Sequence, residues 1–391
     1  MKHDSQLVSP ALAVAVGMLG LAAAMGIGRF AFTPLMPLMQ EHAGLTLAQG
    51  GWLAAANYAG YLAGALWCVR ANPDPGAAAR TGLAGVALFT LAMGVAVALP
   101  WWLLWRFLAG VASALVLVGI SAWALQRLAR AHRVHWAGGV FAGIGIGIVF
   151  AGLVSFVVGV RGLGPSVGWL VLGAAATVIF ATTWRQFAAA QSASASLGPM
   201  GTPRFDSDAW MLIGCYGTFG FGYIIPATFL PSLARNLLAD PAIFGWIWPV
   251  FGTAAAASTI AASLLMRNVA PRKVWVACQV AMAIGVVAPA IAPNIGMLLV
   301  AAIATGGTFV VLTMAGMQEA RRVAGSAAPR LIAAMTAAFA LGQLLGPIVV
   351  SVFSSGTRAL HGPSVAAAVV LVAGAAILTA SRRPRDAFSS I

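Results

Sequence analysis

Two arginines, Arg29 and Arg106, stand inside long apolar runs of this 391-residue chain. A guanidinium near the centre of a bilayer costs ~2.5–3.5 kcal/mol on insertion scales unless it reaches water or a partner, so each needs a reason. No acid supplies one. Glu41, Asp74, Asp206, Asp208, Asp240 and Glu319 fall at loops or span ends, and Asp4 and Asp386 at the termini. His3, His42, His132, His135 and His361 occupy loop positions as well. The usual intramembrane proton relay of Asp, Glu or His is therefore missing. A pair of cations without a carboxylate suits an anionic ligand, because arginine offers planar bidentate donors matched to carboxylate or phosphate.

Depth and direction separate the two residues. If the first run spans Pro10 to Leu38 and points outward, Arg29 lies roughly 7 Å beyond its midpoint at 1.5 Å per residue. Arg106 stands about one and a half turns into a run that starts near Trp101 and points inward, so the two cations are expected in one layer. Cα–Cβ bonds tilt toward a helix's N-terminus, which sends Arg106 outward and Arg29 inward. Snorkelling to the outer interface thus stays open for Arg106, as does donation to backbone carbonyls of the adjacent first span. Asn57, Tyr58 and Tyr61 share a helix face by i,i+3 and i,i+4 spacing, and Tyr216 and Tyr223, two turns apart, share another. Gln343 follows Phe339 by one turn. With Arg29 and Arg106 these six form the candidate substrate-binding set. The competing reading for a tyrosine is an interfacial aromatic belt, a role that Trp101, Trp102 and Trp105 fit better.

The elements that must position these groups are read from composition. The chain is 61% hydrophobic and 8% charged with mean hydropathy +0.94, and no soluble core could hide that much apolar surface. A membrane-crossing helix needs roughly 20 mostly apolar residues. Twelve such runs are centred near Leu19, Ala59, Ala87, Leu115, Ile146, Leu172, Phe219, Thr253, Ala281, Ala304, Leu341 and Val370. The net charge of +14 is explained by its distribution rather than by nucleic acid. Of the 22 Lys and Arg residues, Arg29 and Arg106 lie within runs, Arg161, Arg235 and Arg358 in outer loops, and the other seventeen in segments that face inward when the N-terminus is cytoplasmic. That bias puts both termini in the cytoplasm. The first run follows Lys2 and holds Ala22-Ala23-Ala24, but it continues through Arg29 to Pro37, so it reads as a span and not a cleaved leader. Cys68, Cys215 and Cys278 lie in or beside spans without metal spacing and read as small core residues.

A polar break rich in Ala, Ser, Gly and Pro, residues 188–207, divides the runs six and six as a flexible linker between bundles at 1–187 and 208–391. Shifting the sequence by 194 residues aligns Gly20 with Gly214, Gly26 with Gly220, Gly28 with Gly222, Pro37 with Pro231, and Gly51-Trp52 with Gly245-Trp246. The halves are expected to be repeats, with Arg29 matched by Tyr223. Gly139, Gly143, Gly147 and Ala151 recur every fourth residue and predict close packing, as do Ala56, Gly60 and Gly64, and Gly342 with Gly346 before a bend at Pro347.

Three segments carry a family resemblance: Gly26-Ile27-Gly28-Arg29-Phe30-Ala31-Phe32-Thr33-Pro34-Leu35-Met36-Pro37, Trp105-Arg106-Phe107-Leu108-Ala109-Gly110 and Phe339-Ala340-Leu341-Gly342-Gln343 through Pro347. The chain resembles major facilitator transporters, in particular the bacterial YbfB/YjiJ-type branch. That resemblance implies an all-α membrane protein of twelve helices in two pseudo-symmetric six-helix bundles, in a bacterial inner membrane, with substrate bound between the bundles. The loop from Trp67 to Pro75 departs from it by lacking a clean cytoplasmic Gly-x-x-x-Asp-Arg latch, of which Arg267 and Arg272-Lys273 are a candidate remnant in the second half.

The leading function is transport of a small, anionic organic solute by a monomer in the lipid bilayer, without nucleic acid. Proton-driven efflux of amphipathic compounds is the alternative, and a non-transporting sensor or scaffold on the same fold is a third. No nucleophile–base pair, phosphate-binding loop or metal-ligand cluster is evident, so no enzyme activity, cofactor or metal is expected.

Overall fold

The computed structural model describes residues 9–95, 98–194, 205–237, 246–292, 294–353 and 361–380, and every regular element among them is helical. The first span is interrupted. Helix α1 (Pro10–Leu21) passes into a π-helical turn (Ala22–Ile27), and α2 (Phe32–Ala43) resumes after a short turn. There follow α3 (Leu47–Ala71), α4 (Pro75–Val95), α5 (Leu99–Arg130), α6 (Ala137–Val160) and α7 (Pro165–Ser194). The remainder comprises α8 (Ser207–Leu237), α9 (Ile247–Leu265), α10 (Pro271–Ile291), α11 (Ile295–Ala324), α12 (Ala328–Phe353) and α13 (His361–Ala380). Most of the expected linker lies outside the described residues, and the α7 backbone enters its first part.

Nine helical stretches among the described residues are long and apolar enough to cross a membrane. Their outward side chains include Leu88, Val178, Ile284 and Val369, exposed and wholly apolar, which suits hydrocarbon and not water. Short polar caps end the helices. Thr46 and Gln49 close a capping box at α3, Asp74 Oδ1 accepts from Ala77 N at 2.9 Å before α4, and Asp206 Oδ1 accepts from Ala209 N at 2.8 Å before α8. Two of the few acids are thereby spent on helix ends.

Helix α6 joins neighbours on two faces. Its Gly143 and Gly147 press on the backbone of Met18 and Ala22 in the first span, as the four-residue spacing predicts. A second smooth face, Gly138, Gly145 and Gly152 at seven-residue spacing, meets α9. A Cβ on Gly145 would stand 2.5 Å from both Ala256 N and Gly252 O, and one on Gly252 2.8 Å from Gly145 O. Only glycine permits that approach, which brings the first six long segments against the later ones. The other such seam pairs α3 with α12. Gly60 and Gly64 of α3 instead face α5, against the carbonyls of Phe107 and Val111.

Where α8 and α10 begin and α11 finishes, Arg272 pairs with Glu319 at 3.0 Å and Asp208 at 3.5 Å, and Arg322 reaches Glu319 at 3.7 Å. Glu319 is near a helix end, as expected, yet fully buried. Arg272, from the candidate latch remnant, ties helices within the second half.

Gly145→Val should lower the unfolding midpoint of the purified protein in detergent, at a cost of about 1–3 kcal/mol for overpacking. Gly51→Ala, where an added Cβ meets nothing within 4 Å, should leave it no lower. Scanning calorimetry of both variants checks the α6–α9 seam.

Candidate functional site

The break in the first span creates a demand for donors. Its π turn runs hydrogen bonds from Gly28 N to Ala23 O (2.9 Å) and from Phe30 N to Met25 O (3.0 Å), one residue longer than α-helical bonds. Pro34 has no N–H to give, and Thr33 N turns to Phe30 O at 3.3 Å. Several carbonyls are left to find partners elsewhere, because hydrocarbon offers none.

Arg106 of α5 meets that demand at Gly28 and Arg29, and serines of α5 and α6 bond the first span on either side of the break. Arg106 donates from Nη1 to Gly28 O at 3.1 Å, from Nη2 to Arg29 O at 3.4 Å and from Nε to Leu53 O of α3 at 3.5 Å. Ser113 Oγ donates to Ala24 O at 2.9 Å, and Ser155 Oγ to Pro34 O at 2.7 Å. Of the readings open for Arg106, the contacts are those of a carbonyl clamp, and at 2% exposure it does not snorkel. Its guanidinium also lies 4.8 Å over the Phe32 ring. Asn57 joins the same seam, donating from Nδ2 to Arg106 O at 2.9 Å. It points to α5, whereas Tyr61 of the same helix is turned to Arg29.

Arg29 has a different environment. It is 3% exposed, and Nη2 donates to Gln343 Oε1 of α12 at 2.5 Å, a bond from the first span to the second half. The Tyr61 ring centroid lies 3.8 Å from its guanidinium carbon, with the rings of Phe30 at 5.6 Å and Tyr58 at 5.8 Å. Arg29 Nε and Nη1, Gln343 Nε2 and Tyr223 Oη are all buried without a hydrogen-bond partner among the described residues, while the Tyr61 hydroxyl sides with Arg29. Four unpartnered groups, every one able to donate, gather around one cation; Asn57 Oδ1, in the adjoining seam, is an unpartnered acceptor. Unpaired buried donors are costly, at ~1–3 kcal/mol each, which marks the place as one prepared for something else.

The far wall is aromatic. Tyr223 of α8 stacks on Phe309 of α11 with centroids 5.0 Å apart, and Phe30 meets Phe309 and Tyr223 edge-on at 5.7 and 6.4 Å. Phe339, one turn before Gln343, lies 6.2 Å from Tyr223 and 5.4 Å from Tyr216. Tyr61, Tyr216 and Tyr223 are all at most 1% exposed, so they do not form an interfacial belt. Trp101 is exposed and stacks on Trp105 at 5.9 Å, an arrangement that does suit a belt. The structure therefore gathers Arg29, Tyr58, Tyr61, Tyr223 and Gln343, sets Tyr216 behind Phe339, and assigns Arg106 and Asn57 contacts with backbone. Phe309 and Ser113 are not legible in the sequence: a phenylalanine in an apolar run carries no signal, and Ser113 only its place beyond Gly110.

A family model described as the uncharacterised MFS-type transporter YbfB matches residues 21–379. No curated protein matches the chain.

Arg106→Ala should cost more stability than Arg29→Ala, because it orphans the two carbonyls of the broken turn, Gly28 O and Arg29 O, at ~1–3 kcal/mol each. Arg106→Lys should restore less than half of the loss, since one ammonium cannot reproduce a planar three-way clamp. Thermal unfolding of the three variants in detergent measures the order.

Proposed function

The chain belongs to the YbfB-type family of major facilitator transporters, and from that footing we propose that it moves a small organic anion across the membrane by alternating access. The carrying observation is the constellation around Arg29: among the described residues, one buried guanidinium with two unpartnered nitrogens, two further unpartnered donors, Gln343 Nε2 and Tyr223 Oη, and no carboxylate beside them. A carboxylate displacing Gln343 Oε1 could bind Nη2 together with either Nη1 or Nε, the two bidentate edges of the guanidinium. Gln343 Nε2 and the tyrosine hydroxyls then supply donors from both sides.

In this reading two six-helix bundles, residues 1–187 and 208–391 joined by 188–207, rock about the site, with both termini cytoplasmic in a bacterial inner membrane. Helix pairing supports the repeat. The contacts α3–α5, α4–α7 and α1–α6 have counterparts in α9–α11, α10–α13 and α8–α12, in the order that a shift of one half onto the other requires. The seams α3–α12 and α6–α9 are the surfaces that part and close. Anion binding favours closure because the guanidinium is then buried with an opposite charge, and a ligand shifts a conformational equilibrium only through such differential affinity. Arg106 and Asn57 act as positioning residues that hold the broken span.

The aromatic wall favours a second reading, efflux of amphipathic compounds. It is the weaker one, because cation recognition calls for a membrane-embedded acid, and the single buried carboxylate among the described residues, Glu319, is held by Arg272.

A thermal-shift panel of small carboxylates, inorganic phosphate and lipophilic cations tests the choice. At 100 times its dissociation constant a bound anion stabilises by ~2.7 kcal/mol, a readable shift. Arg29→Ala should abolish stabilisation by anions and, in proteoliposomes, their uptake, while the variant still folds; Arg29→Lys should retain part of both. Stabilisation by lipophilic cations alone, unchanged in Arg29→Ala, would overturn the anion reading.

A further inference from the structure

Resting on the anion reading, we infer that the substrate is a monocarboxylate with a flat apolar tail, an aromatic ring above all, and not a dicarboxylate or a phosphate. The donors at the site fit one carboxylate. Arg106 contributes positive potential to the layer, but each of its three nitrogens is held by a backbone carbonyl, Leu53 O, Gly28 O or Arg29 O, so its fork cannot turn to a second anionic group without giving up the clamp. Among the described residues no further cation is turned to the site, so a second carboxylate, or the second charge of a phosphate, would be buried without one in contact, which is strongly unfavourable.

The remainder of the site has the opposite chemistry. Beyond Phe30, whose neighbour in the chain is Arg29, lie the stacked rings of Tyr223 and Phe309, and Phe339 flanks Tyr223 at 25° between ring planes. Phe30 comes from the first span, while Tyr223 and Phe309 come from α8 and α11, so their edge-to-face contacts cross between the two halves. Any motion that parts the halves breaks those contacts and opens a slot with one aromatic wall on each side. A ring entering the slot regains them, since aromatic groups prefer offset or edge-to-face neighbours at 4.5–7 Å, roughly the separations that Phe30 now makes. Tyr223 Oη, buried and unpartnered within this apolar wall, gives one donor for a ring substituent or a carboxylate oxygen.

The test is a binding series on the wild-type protein in detergent, with phenylacetate, benzoate, propionate, succinate and inorganic phosphate, and benzyl alcohol as the uncharged control. Phenylacetate or benzoate should bind at least tenfold more tightly than propionate, and succinate and phosphate more weakly than propionate. Phe309→Ala should bring the aromatic acids to within about threefold of propionate. Should that variant fail to fold, Tyr223→Phe keeps the ring and removes its hydroxyl, and the wild-type series decides the question by itself. Succinate or phosphate binding more tightly than the aromatic acids, in a manner that Arg29→Ala abolishes, would overturn this inference and leave the anion reading standing. Benzyl alcohol matching phenylacetate, or no anion binding that depends on Arg29, would overturn both.

Discussion

Within hydrocarbon every backbone carbonyl must find its donor inside the protein, and the first span breaks that ladder at its middle. The π turn through Ala22–Ile27 and the turn that follows free the carbonyls of Gly28 and Arg29, which Arg106 of α5 serves. Ser113 and Ser155 add a bond each to Ala24 O and Pro34 O on either side of the break. A guanidinium is the residue for the largest gap, because its planar fork reaches carbonyls of two elements at once. The cost of carrying its charge into the bilayer is offset by the bonds it completes. The broken span thus depends on a clamp from a different helix, and close packing of α6 on α1 through Gly143 and Gly147 holds the two together.

This clamp divides the labour between two arginines of one layer. Arg106 bonds to the carbonyl of Arg29 itself, so the backbone of Arg29 is tied to α5 while its side chain extends to Gln343. A neutral amide and the Tyr61 ring are modest compensation for a buried cation. The second half matches the charge with aromatic rings and single donors, not with an acid. Glu319, the one buried acid among the described residues, is engaged where α10 begins, away from Arg29's partners. Among the described residues the site is short of negative charge, which is what the proposed anion would supply.

Much of this was legible in the sequence. Composition and hydropathy place the chain in lipid because burial of so much apolar surface has no other solution, and isolated arginines in apolar runs announce themselves by their cost. The family followed from motif residues around Arg29, Arg106 and Gln343. The four-residue glycine spacing of α6 predicts one smooth face, as the structure has it; the seven-residue set carries little signal because its period is two turns and its members are sparse. Span counting was harder where Asn57, Gln49 and the tyrosines dilute α3, which falls outside the nine most apolar stretches.

By itself, then, the sequence determined the solvent, the family and the inventory of charged groups, since these follow from which residue types are present and at what local spacing. Tertiary structure alone decided which arginine is spent and which is available. That choice depends on a non-α turn far along the chain from Arg106 and on a glutamine 314 positions from Arg29, neither of which helical periodicity can relate. It also decided that Phe30, Tyr223, Phe309 and Phe339 join in one aromatic cluster, because rings from α8, α11 and α12 reach the first span only when the halves close. The physical reason is the same in each case: a buried polar or aromatic group takes its role from the partner that desolvates it, and in this fold those partners come from other helices.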